Sequence, residues 1–341
     1  MTENSVALNA DGAWWRDHDV QAWLLVPALA VFSLILVGNP STWFTLTVAG
    51  LAMGMMMFIM TSGFTLVFGL MDVLNFGHGA FISLGAFCGF TLMKMWPYGM
   101  ESPLVLLNLS VVLMACLVAM IVVAFVSYGF EQILVKRVYG NHLMQILITM
   151  GGLIIVEQLI HVLWGPEEIP LLKPQSLQGG WTLGDFVFEK YRLLALSVGL
   201  VLFFSLSAVF KKTKVGLLIR AGVENREMVE SFGYNINRLF ILVFVTGACL
   251  AALGGVLWGL YEENITAHVG QSVMIIVFIV AITGGLGSIE GCFLAAILVG
   301  LLSNYVGYLA PKLSLFSNIL LMVMVLLWRP EGLLPVKTKT S

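Results

Sequence analysis

Charge is what this sequence has least of, and its scarcity decides the class of protein. Only 11% of the 341 residues are Asp, Glu, Lys or Arg, whereas 59% are hydrophobic. Soluble domains carry about twice that share of charge. Several apolar runs also exceed the roughly 18–20 residues that cross a bilayer. The composition excludes a soluble protein, gives no sign of a nucleic-acid partner, and indicates an all-α polytopic membrane protein in contact with lipid.

Residues that carry metal or covalent chemistry are few and scattered. The four cysteines stand singly in apolar runs without the spacing of metal ligands, so we interpret them as packing residues: Cys88, Cys116, Cys249 and Cys292. The sequence lacks an HExxH motif, a nucleophile elbow and a paired-carboxylate signature, and no Lys follows a Gly, which excludes a P-loop. We therefore expect no catalytic residue, metal or cofactor in this chain. If ATP with Mg²⁺ drives the protein, a partner subunit must bind it.

The N-terminus lacks the basic region of a secretory signal, because residues 1–22 hold four carboxylates against the single Arg16. We interpret 1–22 as a polar tail and 23–40 as an extra N-terminal membrane helix. Residues 41–330 form the transmembrane domain, and 331–341 form a cytoplasmic C-terminal tail.

Apolar runs and polar breaks alternate along the chain. The runs predict about eight to ten membrane segments, some of them broken or re-entrant: 23–38, 43–70, 80–95, 104–130, 143–164, 192–210, 238–261, 272–303 and 313–328. Most Lys and Arg residues fall in every second break, around 136–137, 211–226 and after 328. Because cytoplasmic loops are rich in Lys and Arg, we place these breaks inside and the Glu-rich breaks outside.

Two places interrupt this pattern with glycine and polar residues at membrane depth. Non-helical backbone is tolerated there only when it is buried in protein or lines a wet cavity, and broken helices in both halves of a chain point to a translocation path. The similarity of the two breaks leaves an internal repeat open. The predicted path residues are Asp72, Asn75, His78 and Gly79 in the first break, and Gly284, Gly285, Gly287 and Ser288 in the second.

Several ionisable residues in these runs allow two interpretations each. Asp72 either binds a cation or substrate amine, or caps the helix that follows. His78 either relays protons or hydrogen-bonds backbone carbonyls freed by the kink. Glu157 and His161 lie four residues apart on one helix face, and an interfacial pair is the simpler interpretation.

The polar segment 211–237 interrupts the apolar chain on the cytoplasmic side. Its interleaved basic and acidic residues and its flanking glycines predict a short amphipathic helix rather than a linker. Such a helix between two spans is where a soluble partner would act on a membrane protein. We expect these residues to contact it: Gly216, Arg220, Ala221, Glu224, Asn225, Glu227, Phe232, Gly233 and Asn235.

Three stretches together resemble the LivH-type membrane permease family of branched-chain amino acid ABC importers. They are LNFGHGA at 74–80, GLLIRAGVENREMVESFGYN at 216–235, and GGLGS at 284–288 with RPEGL at 329–333. Residues 1–40, Asp72 and Glu290 depart from the family pattern, which leaves urea or short amides open as substrates beside branched-chain amino acids.

The resemblance implies a transport subunit rather than an enzyme, located in the bacterial inner membrane. It implies a second, LivM-type permease, two ATP-binding subunits docked on segment 216–233, and a periplasmic solute-binding protein. Two other classes stay open from the residues alone. An ion-coupled secondary transporter would use Asp72 or His78 but leaves segment 211–237 unexplained. A membrane-embedded enzyme would need a cluster of catalytic residues, which the sequence does not contain.

Overall fold

The computed structural model describes residues 18–184, 186–214, 216, 218–219, 221, 226–231, 233 and 235–335. The helices are α1 (His18–Val37), α2 (Pro40–Met71), α3 (His78–Met95), α4 (Pro97–Glu101), α5 (Val105–Ile133), α6 (His142–Trp164), α7 (Lys190–Lys212), α8 (Arg226–Ser231), α9 (Ile236–Glu262), α10 (Val269–Gly284), α11 (Ile289–Leu309) and α12 (Ser314–Trp328). Short strands are β1 (Ile169–Pro170), β2 (Gly180–Leu183), β3 (Phe186–Glu189) and β4 (Asn264–Ile265).

These helices confirm the prediction of an all-α polytopic membrane protein. Within the described ranges, eight helices are long and apolar enough to cross a membrane. The extra N-terminal helix begins at His18, five residues before the predicted start. It packs on α2 and α11, where the indole nitrogen of Trp43 donates to the carbonyl of Ala30 at 2.9 Å.

Helices α2, α3, α9 and α11 form the centre of the bundle, and glycine makes their close contacts possible. A Cβ on Gly54 would lie 2.6 Å from the carbonyl oxygen of Ala296, and one on Gly85 would lie 2.4 Å from the Cα of Ala252. Small residues allow helix backbones to approach this closely where lipid supplies no hydrophobic driving force. The glycine spacing in the sequence therefore indicates tight packing.

The two ends of the bundle differ in charge. We call the end that carries Lys136, Arg137, Lys211 and Arg329 the inner face, following the positive-inside rule. The opposite end, the outer face, carries β1 to β4. There β1 pairs antiparallel with β4, and β2 pairs with β3. Lys173 lies between Glu189 and Glu263 at 3.3 and 2.9 Å, and joins the loop before α7 to the segment after α9.

Residues 72–77, the first re-entrant segment, leave the inner face and turn back into the bundle. The imidazole Nε2 of His78 lies 2.9 Å from the carbonyl oxygen of Met60, on the preceding helix. Met60 precedes the end of α2 at Met71 by eleven residues, or roughly 17 Å of helix. Helix α3 therefore begins inside the bundle and runs outward.

Residues 263–268, the second re-entrant segment, have the same arrangement in the opposite orientation relative to the membrane. They leave the outer face after α9 and turn back, so that α10 also begins inside the bundle and runs inward. A long helix followed by a re-entrant segment and a shorter helix thus occurs twice, with opposite direction. The internal similarity lies between 72–77 and 263–268. It does not lie between the two glycine-rich breaks, because the break at 284–288 is a turn at the inner face.

The expected break in the run 272–303 is present. Helix α10 ends at Gly284, and α11 begins at Ile289 with Ser288 as its N-cap, whose hydroxyl accepts from the amide of Gly291 at 3.0 Å. Only α10, with 16 residues, is shortened, whereas α11 has 21. The prediction of two shortened helices is wrong for the second.

The chain after α12 packs on this turn. The amide of Leu333 donates to the carbonyl of Thr283, and the amide of Leu334 donates to that of Gly284. Residues 331–335 are therefore part of the bundle rather than of a free tail, because their apolar side chains are buried there.

Candidate functional site

The two re-entrant segments meet where their helices begin. A Cβ on Gly270 would lie 1.8 Å from the carbonyl oxygen of Gly79, and one on Gly79 would lie 3.0 Å from that of Gly270. The hydroxyl of Ser83 joins the two sides, because it accepts from the amide of Gly270 and donates to the carbonyl of Ala267, both at 2.9 Å. We call this contact the junction.

The predicted residues of the first break divide between the junction and the inner face. Asn75, His78 and Gly79 are buried next to the junction. Asp72 is not, because it ends α2 in a left-handed conformation with φ of 52° and its side chain is 65% exposed, 3.5 Å from His142. The expectation that Asp72 caps the next helix is wrong, since α3 begins after Gly77 without a side-chain cap.

His78 contacts a backbone carbonyl, as expected from the second of the two interpretations of this residue, a hydrogen bond rather than a proton relay. Its imidazole binds the carbonyl oxygen of Met60, and its ring packs against Phe64 at 5.8 Å between centroids. The carbonyl belongs to the intact helix α2 rather than to the kink. Phe64 also contacts Phe278 of α10, which in turn contacts Phe76 of the first segment. An aromatic cluster therefore lies on the inner side of the junction.

One face of α6 follows both re-entrant segments. Its residues Gln145, Thr149, Leu153, Glu157 and His161 are spaced by four, so they lie on one side of the helix. Four of these five side chains are polar. Such residues inside a membrane face the protein interior or a wet cavity.

This α6 face contacts each segment at its own level. The hydroxyl of Thr149 accepts from the amide of Phe76 at 3.1 Å, and Leu153 packs against Gly79. Further outward, the carboxylate of Glu157 lies 3.4 Å from Nδ1 of His268. The expected pair of Glu157 with His161 persists as an electrostatic interaction, whereas the ion-pair partner of Glu157 is His268 of the second segment.

Several buried polar atoms of this region have no hydrogen-bond partner within the described part of the chain. They are Oδ1 of Asn75, both amide atoms of Gln145, Oε1 of Glu157 and Nδ1 of His161. Native proteins leave few such atoms unpaired, and water or a ligand commonly completes them. These atoms lie on the α6 face and in the first segment, so the bundle interior is polar in this region.

The first turn of α10 exposes polar groups at the depth of the junction. Gln271 and Ser272 are exposed, and one turn inward Ile275 is exposed too. Lipid contact at this depth is unfavourable for polar side chains. This surface therefore fits a second subunit or a wet path, and it turns apolar toward the inner face.

The glycine-rich break lies apart from the junction, at the inner face. Gly284 and Gly291 pack backbone to backbone, and Gly287, at φ of 86°, packs on Gly69 of α2. Lys211 forms an ion pair with Glu290 in the first turn of α11. Gly284, Gly285, Gly287 and Ser288 therefore lie at the inner-face turn, packed on α2, α11 and residues 331–335, and not at the junction with which the sequence grouped them.

The predicted coupling segment begins and ends at the same inner face. Gly216 packs on the backbone of Phe210, Gly233 has φ of 83°, and the side chain of Asn235 caps α9 by accepting from Arg238. Ala221 is half-buried. Arg220, Glu224, Asn225, Phe232 and the side chain of Glu227 lie outside the described residues.

Sequence reasoning missed the second re-entrant segment and His268. The signal was available in length, because the run 272–303 is too long for one span and too short for two full spans. A shortened helix must begin inside the membrane. The residues at its start, Ala267 to Gly270, could therefore have been predicted to lie at membrane depth.

Comparison with known proteins agrees with this arrangement. The family model described as branched-chain amino acid transport system / permease component matches residues 46–328. The chain is similar to the high-affinity branched-chain amino acid transport system permease protein BraD of Pseudomonas aeruginosa, with 29% identity over 299 residues, 84% of this chain and 94% of the relative. It is similar to LivH of Escherichia coli K12, with 24% identity over 84% of this chain and 93% of the relative.

The chain is also similar to a branched-chain amino acid transport system permease protein named LivM. LivM of Escherichia coli K12 is 24% identical over 309 residues, 83% of this chain and 68% of the relative. No solved structure matches the chain. The family match covers the junction, α6 and the inner-face turn together, and the chain therefore belongs to the family of branched-chain amino acid transport system permease components.

Proposed function

We propose that this chain is the LivH-type permease subunit of an ATP-driven importer, and that solute crosses the membrane beside the junction. The observation that carries the proposal is the contact of Gly79 with Gly270 inside the bundle. Two helices begin there from opposite directions, and polar side chains are exposed on the first turn of α10. Transporters of several folds bind their solutes near the midplane, between inverted repeats with broken helices.

The solute class follows from the relatives. BraD and LivH are permease proteins of branched-chain amino acid transport systems, and we infer the same solute class for this chain. Urea or a short amide remains the second candidate. The role is transport without chemistry on the solute, in the inner membrane of a bacterium.

The partners follow from the same reasoning. The similarity to both LivH and LivM supports pairing with a second permease of related fold. The surface of α10 with exposed Gln271 and Ser272 suits that pairing. A partner subunit or a wet path would contact these polar side chains, which lipid does not solvate. Two ATP-binding subunits bind ATP with Mg²⁺ and dock at 211–237, and a periplasmic binding protein delivers solute at the outer face.

A glycine substitution tests the path. Gly270→Val places a branched side chain against the carbonyl of Gly79, so it should block uptake of leucine by the reconstituted complex. Gly151→Val on α6 is the matched control, because nothing lies within 4 Å of a Cβ there. Uptake is measured in proteoliposomes that hold ATP and receive loaded binding protein.

The expected result is an assembled complex, seen by size-exclusion chromatography, with uptake lost for Gly270→Val and retained for Gly151→Val. Gly79→Leu should reproduce the loss from the other side of the junction. Normal uptake by an assembled Gly270→Val or Gly79→Leu complex would remove the junction from the path.

A further inference from the structure

His268 lies at the junction with one side toward the protein and one side open. Its Nδ1 is 3.4 Å from the carboxylate of Glu157, and its ring packs edge-to-face on His161 at 5.2 Å between centroids. The side chain of Glu157 is 5% exposed, whereas that of His268 is 54% exposed. The imidazole is thus held from behind by a buried carboxylate and presents its other edge outward.

The depth of His268 decides what that open edge faces. It directly precedes α10, two residues before Gly270, which contacts Gly79 inside the bundle. Ionisable side chains at membrane depth face a bundle interior or a wet cavity rather than lipid. The open edge shares its surface with Gln271 and Ser272, both exposed and both able to donate hydrogen bonds.

The geometry of this pair leaves one ring nitrogen free for a group on the open side. The carboxylate of Glu157 lies at Nδ1, so Nε2 is the outward nitrogen, and the imidazolium form of the ring would offer Nε2–H to a hydrogen-bond acceptor there. Among the described residues, the titratable groups in contact with His268 are Glu157 and His161, both on α6. Ser83 of α3 is uncharged, and Glu263 of the same segment pairs with Lys173.

The amide end of α10 adds to this preference. A helix N-terminus carries a partial positive charge that stabilises anions, and in other transporters such ends point at solute carboxylates. No exposed carboxylate of the described chain contacts the open edge of His268. The site is therefore matched to a small group with negative charge rather than to a neutral amide.

We propose that His268, held by Glu157, contacts the carboxylate of the transported solute as it passes the junction. This inference rests on the proposed function, and it adds the chemical group by which the permease recognises the amino acid, which is its carboxylate. Glu157 acts as a positioning residue, because it reaches the solute only through the imidazole.

Charge substitutions at residue 268 test the contact in the full complex with loaded binding protein and leucine. His268→Gln keeps a hydrogen-bonding side chain that cannot become charged, and His268→Arg supplies a permanent positive charge. We expect His268→Gln to lower leucine uptake about ten-fold, the loss typical of a hydrogen bond to a charged group, and His268→Arg to restore most of it. A purely structural role predicts the reverse order, since Gln fits the space of the ring better than Arg.

Two further readouts separate the contact from docking and assembly. The KM for loaded binding protein should be unchanged in His268→Gln, whereas the number of ATP molecules hydrolysed per leucine should rise. His142→Gln and His142→Arg, at an exposed histidine of the inner face, are the matched controls and should leave both values unchanged. Glu157→Gln should reproduce the rise in ATP per leucine, because it releases the imidazole.

The outcomes are distinguishable. If the wild-type complex takes up no leucine, the proposed function fails. If it does and His268→Gln matches wild type, or Gln is better tolerated than Arg, the carboxylate contact is overturned while the permease assignment stands. Should His268→Gln fail to assemble, an unchanged ATP-to-leucine ratio in Glu157→Gln overturns the inference.

Discussion

Single residues at the inner-face turn show how a short motif sets a local structure. Gly287 has φ of 86°, and a Cβ on Gly69 would lie 2.6 Å from its Cα, so a side chain at Gly69 meets backbone. Ser288 then begins α11 by accepting from the amide of Gly291. Glycine supplies the left-handed conformation and the close approach, and serine satisfies one of the helix's free amides.

The serine cap gives the first residue-scale prediction. Ser288→Ala removes the acceptor and should cost about 1 kcal/mol of stability, seen as a lower Tm of the purified protein in detergent. Ser288→Asp retains the acceptor at a helix N-terminus and should stay close to wild type. Equal Tm values for the Ala and Asp variants would contradict the cap.

At the element scale, the sequence predicted the break in the run 272–303 from its length and its GGLGS motif. It also placed Asn75, His78 and Gly79 at membrane depth, because polar residues and glycines interrupt an apolar stretch there. These features are local, so a short window of sequence contains them. The prediction for Asp72 was wrong because an acidic residue before a helix is typical of an N-cap. In the structure its left-handed backbone ends the preceding helix instead.

The second re-entrant segment could not be predicted from any short stretch of sequence, because its contacts are with residues far away in the chain. Ile265 pairs with Ile169, Glu263 binds Lys173, and His268 binds Glu157, each about a hundred residues distant in the chain. Read alone, residues 262–271 look like an ordinary outer loop with two carboxylates. Only tertiary packing shows that the loop ends inside the bundle.

The outer-face contact of Lys173 gives the element-scale prediction. Its side chain is 8% exposed and its ammonium lies between Glu189 and Glu263, so it holds the second re-entrant segment to the loop before α7. Lys173→Met removes the charge with little change of volume and leaves two partly exposed carboxylates without their partner. We expect a loss of about 1.5–3 kcal/mol, the range for hydrogen bonds to charged groups.

Hydrogen exchange followed by mass spectrometry localises this effect. Faster exchange is expected at 263–270 and 169–173, with α12 unchanged. Lys312→Met, in the exposed turn before α12, is the control and should exchange like wild type. Unchanged protection of 263–270 in Lys173→Met would contradict the role of the ion pair.

At the scale of the whole molecule, one polar face of α6 contacts both re-entrant segments. Thr149 accepts from the amide of Phe76 in the first segment, and Glu157 contacts His268 in the second. A rigid helix that contacts both segments joins their movements. A change imposed at the inner face therefore has a direct physical route to the junction through packed side chains and hydrogen bonds.

The last prediction concerns the origin of such a change. Segment 211–237 lies between α7 and α9 on the inner face, and Lys211 at its start binds Glu290 beside the glycine-rich turn. If the ATP-binding subunits dock there, Glu227→Lys with Phe232→Asp should release them while the permease stays inserted, because buried anchors carry most interface energy. Copurification of the ATP-binding subunits with the tagged permease measures this directly. Glu101→Lys with Tyr98→Asp makes the same changes at exposed residues of the outer face and should leave copurification intact. If the inner-face variant retains the ATP-binding subunits and its uptake is undiminished, the docking site lies elsewhere. If only the inner-face variant loses the subunits and its uptake, the ATP-binding subunits act on the permease through segment 211–237, beside the turn that contacts α2, α10 and α11.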